Sequence, residues 1–315
     1  MGEALGVQHG SPRLRRPLLG YAMVVGAATL WGVNGVVSKV ILESGPTTLQ
    51  VAELRITGAA LLLVVTLALV RRDLLRVTRR ELPLLVLFGV GGLAMVQLFY
   101  LLAIARLPIA VALLIEYLAP VLVALYARFF AHEQVRARVW AALALALVGL
   151  AFVLGISSGI PLDRVGVVCA LVAAVTFAVY ILAAERAVTV RHPLSVLTFG
   201  LLFASVFWAA AQPWWRFPFA RLGASVSLEG HLSATHVPLA LLVCWLLVLG
   251  TVVPFALVVA ALEHVSATRA GLVAMLEPVV ATIAANAWLG EALSPRQLAG
   301  GVAVLVAIAL AQTAR

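Results

Sequence analysis

The chain has 315 residues, of which 64% are hydrophobic and 11% charged, and its formal net charge is +9. A soluble domain is nearer half apolar and a quarter charged, so a water-soluble fold of this length is excluded and lipid must cover much of the apolar surface. The basic excess does not mark a nucleic-acid binder: 21 Arg and one Lys are scattered through short links between apolar blocks, the distribution that the positive-inside rule produces.

Residues 1–17 form a polar tail carrying Arg13, Arg15 and Arg16. The apolar run behind it is about 24 residues, too long for the core of a signal peptide (about 7–15), and is read as a retained helix. A spanning helix needs about 20 mainly apolar residues, and ten are predicted. They run over Leu18–Leu42, Leu49–Val70, Leu82–Ala105, Pro108–Phe130, Val139–Gly155, Val165–Ala184, Pro193–Gln212, Val237–Leu262, Thr268–Leu289 and Gln297–Thr313. With the N-terminus inside, 15 arginines fall on the cytoplasmic side and five outside, which places both termini in the cytoplasm of a multi-pass inner-membrane protein. The long link after the seventh helix carries Trp214, Trp215, Phe217 and Phe219 beside Arg216 and Arg221. It reads as an interfacial anchor followed by a flexible loop.

The chain repeats itself. An ungapped offset of 158 residues superposes Ala103 on Ala261, Pro120 on Pro278, Ala127 on Ala285 and Glu133 on Glu291, and it also pairs Gly92 with Gly250. The first helices of the two halves match more weakly, near Trp31 and Phe177. The expected units are residues 18–158 and 159–315, five helices each. Five is odd, so consecutive copies enter the membrane from opposite sides. The fold class is therefore an all-α integral membrane protein of ten transmembrane helices in two inverted five-helix repeats, an architecture of secondary transporters.

Charged groups inside a membrane are costly and make functional candidates. Glu116 lies about eight residues into the fourth helix, roughly 12 Å deep at about 1.5 Å per residue, and Glu277 is at similar depth in the ninth. Both are proton-coupling candidates, or else protonated packing glue. They break the repeat, since Glu116 aligns with Ala274 and Glu277 with Ala119. Pro120 and Pro278 kink equivalent helices by removing a backbone donor. Trp31, Asn34, Ser38, Gln97, Tyr100 and Tyr180 are a few polar and aromatic groups among apolar walls, the composition of a small-molecule pocket, although each alone is as readily an interhelical bond. Small residues on helix four (Ala112, Ala124, Ala127) and helix nine (Ala270, Ala274, Ala281, Ala285) form packing seams that could meet.

No catalytic, metal or cofactor site is expected. Cys169 and Cys244 sit in apolar runs, the six histidines fall in links or the tail, and no zincin or Walker spacing occurs. Gly-Ile-Ser-Ser-Gly at 155–159 matches the G-x-S-x-G elbow formally, but it lacks a preceding strand and a nearby base, so an intramembrane enzyme is the weaker alternative.

The segments LWGVNGVVSK (30–39), AELRITGAALLL (52–63), LAPVLVALYARFF (118–130) and LEPVVATIAANAWLGEALSPRQLAGG (276–301) resemble the EamA-type permeases of the drug/metabolite transporter superfamily. The first half departs from the pattern, with Ala-His-Glu at 131–133 where Leu-Gly-Glu is usual. The resemblance implies a basket around a central cavity and gradient- or proton-driven export of amino acids or similar metabolites, with multidrug efflux as the alternative. It also makes Arg55, the second-helix arginine, a candidate for a substrate carboxylate, and Glu133 and Glu291 caps or gate latches. The implied partners are a small-molecule substrate and the lipid bilayer, and a homodimer is one assembly open to it.

Overall fold

The computed structural model describes residues 16–107, 109–132, 134–155, 163–290 and 294–312. Glu133, Glu291 and residues 156–159 of the elbow-like segment lie outside the described residues.

Among the described residues ten helical rods follow one another: α1 Pro17–Glu43, α2 Thr48–Val70, α3 Leu82–Ile104, α4 in two pieces (α4a Ile109–Glu116 and α4b Ala119–Phe129), α5 Ala137–Val153, α6 Arg164–Val188, α7 Pro193–Ala211, α8 Leu239–Ala261, α9 in two pieces (α9a Ala267–Ala274 and α9b Glu277–Ala284, continued by the π-wound turn Ala285–Leu289) and α10 Pro295–Gln312. Eight of them are long and apolar enough to cross a membrane, and α5 and α10 are shorter apolar helices. Large apolar side chains such as Leu61, Leu69, Val206, Leu241 and Val302 point outward and exposed. In water such a surface would be untenable; in a bilayer it is what acyl chains solvate.

Helix ends follow from local sequence. Thr47 and Gln50 form a reciprocal capping box at the start of α2, Asp163 caps α6, and His192 caps α7 ahead of a proline at the first position. Each satisfies backbone donors that a helix start leaves orphaned.

The face from which α1 starts (the N-face) also carries the α2–α3 connection, the α6–α7 turn and the α8–α9 turn. Gly20 packs against His264 and Val265 of the last of these. Arg191 of the α6–α7 turn pairs with Glu81 at 2.8 Å and donates to the carbonyls of Leu74 and Arg76. The opposite, far face carries the α3–α4 turn, whose Arg106 and Leu107 pack on Gly166 at the start of α6. So α1 and α6 run in opposite directions, and the contact of Gly20 with His264–Val265 is matched by that of Gly166 with Arg106–Leu107, 158 residues earlier.

The same exchange recurs deeper. A Cβ on Gly92 (α3) would lie 2.8 Å from the Cα of Tyr180 (α6), and one on Gly250 (α8) would collide with the side-chain oxygen of Asn34 (α1). Both glycines lie in stretches wound as π-helix, Leu87–Ala94 and Val248–Val252. A third close approach joins α5 to α10: Gly149 and Gly300 each present their bare Cα to the other's carbonyl oxygen, and small residues are what permit such backbone approach.

Both proline helices are broken rather than bent. Around Pro120 the chain tightens, with Leu118 N–H donating to Ile115 O at 3.0 Å before it and Val121 N–H to Leu118 O at 2.9 Å across it. Before Pro278, Met275 donates to Leu272 at 3.2 Å and Leu276 to Val273 at 3.0 Å. A proline offers no N–H and crowds the preceding turn, so i→i−3 bonds replace the missing ones. Each break leaves an N-face half (α4b, α9a) and a far-face half (α4a, α9b). The N-face halves pack on each other, with Gly271 against the ring of Pro120 at 3.2 Å for a Cβ placed there. Among the described residues the mirror-image pair, α4a and α9b, makes no comparable packing contact.

The link after α7 departs from the expected flexible loop. It folds into turns at Trp214–Arg216 and Phe219–Arg221 and a two-stranded antiparallel hairpin, β1 Ser225–Ser227 with β2 His236–Pro238. Phe217 is buried. Arg221 donates to Ser44 O, Gln50 donates to Arg216 O, and Trp288 Nε1 donates to Leu228 O at 2.7 Å. The segment is thus tied to the α1–α2 turn on one side and to the far-face end of α9 on the other.

Candidate functional site

Tyr117 follows the last residue of α4a at the break in α4, and the break in α9 makes Glu277 the first residue of α9b. The Tyr117 hydroxyl donates to Oε2 of Glu277 at 2.9 Å. Glu116, adjacent to Tyr117, lies in electrostatic range of Glu277, and Tyr100 of α3 lies in range of both carboxyl groups. Arg55 reaches in from α2: its guanidinium is in range of Glu277 and makes a long 3.5 Å contact with Gln97 Oε1 of α3. Arg55, Gln97, Tyr100, Glu116 and Glu277 are all half-buried. The cluster therefore combines one permanent cation, two carboxyl groups, a carboxamide and two phenols at the depth of the helix breaks.

The meeting of Glu116 and Glu277 at non-equivalent repeat positions has a geometric cause. α4 runs from the far face to the N-face, and α9 runs the other way. Glu116 stands just before one break and Glu277 just after the other, so both fall on the far-face side. The positions that the repeat pairs with them, Ala274 and Ala119, both fall on the N-face side and are buried.

An aromatic chain borders the cluster. Trp31 (α1) meets Phe255 (α8) edge-on at 5.0 Å, Phe255 meets Tyr180 (α6) at 6.0 Å, Tyr180 stacks with Phe177 at 5.9 Å, and Phe177 meets Tyr117 at 6.4 Å. Of the expected cavity residues, Trp31, Ser38, Gln97 and Tyr100 keep partial exposure, whereas Asn34 and Tyr180 are buried against the two glycines. Asn34 donates to Ser38 Oγ at 3.3 Å, and its own oxygen, like the Tyr180 hydroxyl, Nε of Arg55 and Oε2 of Glu116, has no partner among the described residues. Glu53, two residues from Arg55, is buried and accepts from Thr57 at 2.6 Å. Pro120 and Pro278 shape the site through the breaks and touch the cluster by way of Tyr117 and Glu277.

Sequence reasoning had no cause to single out Tyr117 or Phe255. Tyr117 lies within an apolar run, and its partner is 160 residues away. Among the described residues no group of three or more His, Cys, Asp or Glu gathers to hold a metal.

Residues 18–155 and again 164–313 match the EamA-like transporter family. The chain belongs to that family. This EamA-like transporter is a multi-pass membrane protein of the drug/metabolite transporter superfamily. It is 31% identical over 229 residues to the threonine/homoserine exporter RhtA of Escherichia coli K12, covering 72% of this chain and 70% of that one. RhtA of Salmonella typhimurium SL1344 is 29% identical over the same shares. An uncharacterized transporter of Archaeoglobus fulgidus is 28% identical over 292 residues, 93% of this chain and 96% of that one. A crystal structure of another protein superposes with a TM-score of 0.75 at 20% identity, covering 93% of this chain and 96% of that chain, and shares the EamA-like fold. The family and these named relatives are transporters.

Proposed function

We propose that the protein is a secondary transporter that exports small amino acids and related zwitterionic metabolites across the cell inner membrane, by alternating access in exchange for protons. The observation that carries the reading is the Arg55 guanidinium within electrostatic range of Glu277, whose carboxyl group is in turn within range of Glu116. A zwitterion needs a planar donor pair for its carboxylate, which Arg supplies, and an acceptor for its ammonium, which a carboxylate supplies. Gln97, Tyr100 and Tyr117 add neutral hydrogen-bonding groups, and Trp31, Phe177 and Phe255 wall the site. The names of the RhtA relatives point to the same substrate class.

In this reading α5 and α10 also cross the bilayer, giving ten spans in two inverted repeats of five (residues 18–158 and 159–315). The N-face is cytoplasmic, because it gathers Arg71, Arg72, Arg76, Arg79, Arg80, Arg128, Arg136, Arg138, Arg186, Arg191 and Arg269. Cysteines placed at Arg76 and Arg186, both exposed, should then label from the cytoplasm and not from outside. Arg191 is a poor position for that test, since its side chain is 9% exposed.

The deciding experiment is efflux of L-threonine from proteoliposomes with and without an imposed pH gradient. Gradient-stimulated efflux that Glu116→Gln abolishes is expected. Efflux by Glu116→Gln equal to wild type would sink the proton role, and no efflux of any amino acid by the wild type would sink the substrate class.

Multidrug efflux is the second reading. It is favoured by an apolar pocket of about 490 Å³ between α1, α8 and the far-face end of α9, lined by Val37, Leu242, Trp245 and Trp288 among others. Transport of ethidium in place of amino acids would select it.

A further inference from the structure

The N-face halves of the broken helices are closed on each other, and the far-face halves are not. The difference coincides with a chemical one. The repeat places Ala119 and Ala274, both buried, on the closed side of the two breaks, and Glu116 and Glu277 at the corresponding positions on the open side. We propose that the carboxyl pair Glu116–Glu277 is a charge gate: α4a and α9b close on each other, as α4b and α9a already do, when one added positive charge, a proton or the ammonium group of a substrate, brings the pair and Arg55 together to neutrality. This rests on the transport reading above, because closure of the far face is the half-cycle that the structure does not display.

The argument is one of charge count and geometry. Closure by the pseudo-symmetric route would pack Leu113 against Pro278, the counterparts of Gly271 and Pro120. It would carry the two carboxyl groups into the buried setting that Ala119 and Ala274 hold on the closed side. Like charges brought together away from water repel strongly, and two carboxylates sharing one site do not both stay ionised. The groups facing the pair are Arg55 from α2, Gln97 and Tyr100 from α3, Tyr117 from α4, and the aromatic rings of α1, α6 and α8, among which Tyr180 alone titrates. Arg55 thus offsets one carboxylate, and the second is left uncompensated. A single proton or a single ammonium brings the cluster to neutrality, and the two compete for the same vacancy. Competition of that kind couples amine movement in one direction to proton movement in the other. The empty, doubly ionised site stays open to the far face.

The test measures the width of the far-face mouth. Spin labels on Arg106→Cys (α3–α4 turn) and Ala287→Cys (far-face end of α9), both exposed positions, are introduced after Cys169 and Cys244 are replaced by Ser. Electron–electron distances are then recorded in reconstituted protein. At alkaline pH without amine a single long distance is expected. Acidification, or L-threonine at alkaline pH, should bring in a shorter population, and Glu116→Gln or Glu277→Gln should show that population at alkaline pH without either. The titration of the labelled protein itself needs no carboxyl variant, so a misfolded variant cannot mask the answer. A mouth that does not respond to pH in the labelled protein overturns the gate. So does a response that persists unchanged in the double Glu→Gln variant. If the mouth responds to pH but the protein moves no amino acid, the substrate reading fails and the gate stands.

Discussion

The Tyr117 hydroxyl and the Glu277 carboxylate, 2.9 Å apart, join the two helix breaks across the centre of the molecule. Tyr117 ends the helical turn before Pro120, its N–H still bonded to Leu113 O at 2.9 Å, and Glu277 begins the helix that contains Pro278. One hydrogen bond therefore links the hinge of the first repeat to the hinge of the second.

Tyr117→Phe removes that donor and keeps the ring against Phe177. A hydrogen bond to a charged group is worth about 1.5–3 kcal/mol, so a fall in transport of roughly tenfold or more is expected. Expression should stay near wild type, with the melting temperature lower by about a few degrees. Efflux rates unchanged in Tyr117→Phe would show that the bond does not serve transport.

Arg55→Lys keeps the charge and loses the planar fork, which is not a conservative change at a bidentate site. An increase in KM for L-threonine of roughly tenfold or more is expected from the loss of a charge-assisted contact. Competition by ethanolamine, which has no carboxylate, should change little. Equal effects on both compounds would place Arg55 outside carboxylate recognition.

Gly92→Ala and Gly35→Ala should differ in sign. The new methyl at Gly92 meets the backbone of Tyr180 at 2.8 Å, whereas the one at Gly35 meets nothing within 4 Å. Overpacking costs about 1–3 kcal/mol, while Gly→Ala in an unobstructed helix gains up to about 1 kcal/mol. Thermal scans in detergent should show Gly92→Ala melting below wild type and Gly35→Ala at or above it.

Glu81 links stability to pH on the N-face. Hydrogen bonds from the backbone and hydroxyl of Thr78, and then the pairing with Arg191, hold its carboxyl below the usual value of 4.5. A group whose folded value is depressed contributes stability above its unfolded value and loses it as pH falls through the folded one. Wild type and Glu81→Gln should therefore differ in melting temperature at neutral pH and converge as pH drops below about 4.5. Arg191→Ala should cost more than Glu81→Gln, because Arg191 also bonds to the carbonyls of Leu74 and Arg76 and to Ser195 and covers the ring of Phe199 at 5.4 Å. A smaller loss in Arg191→Ala would contradict its place at the centre of that knot.

Much of the fold was legible because hydropathy and repetition are written in one dimension. The spans, the two copies and the paired prolines can be read from Pro120, Pro278 and the apolar runs around them. What stayed hidden depended on distance or on winding. Tyr117 looks like any aromatic in an apolar run until the partner 160 residues away is known. The π-wound stretches at Gly92 and Gly250 leave no mark in composition, and Asn34 and Tyr180, cavity candidates in the sequence, are buried against those two glycines. The link after α7 reads as an aromatic anchor and a flexible loop, because the bonds that tie it to α2, α9 and the α1–α2 turn join residues far apart in sequence. The polar cluster itself was read as separate candidates. Arg55, Glu116 and Glu277 become one unit once the opposite directions of α4 and α9 are known.

The crossing of Gly149 with Gly300 has a further consequence. Each glycine rests on the other's carbonyl, so the two backbones lie closer here than side chains would allow. The ungapped repeat offset pairs these two glycines with Ala307 and Ala142, both fully buried. Small residues thus occupy this crossing in both halves of the chain, and a bulky side chain at any of the four positions would pry α5 and α10 apart.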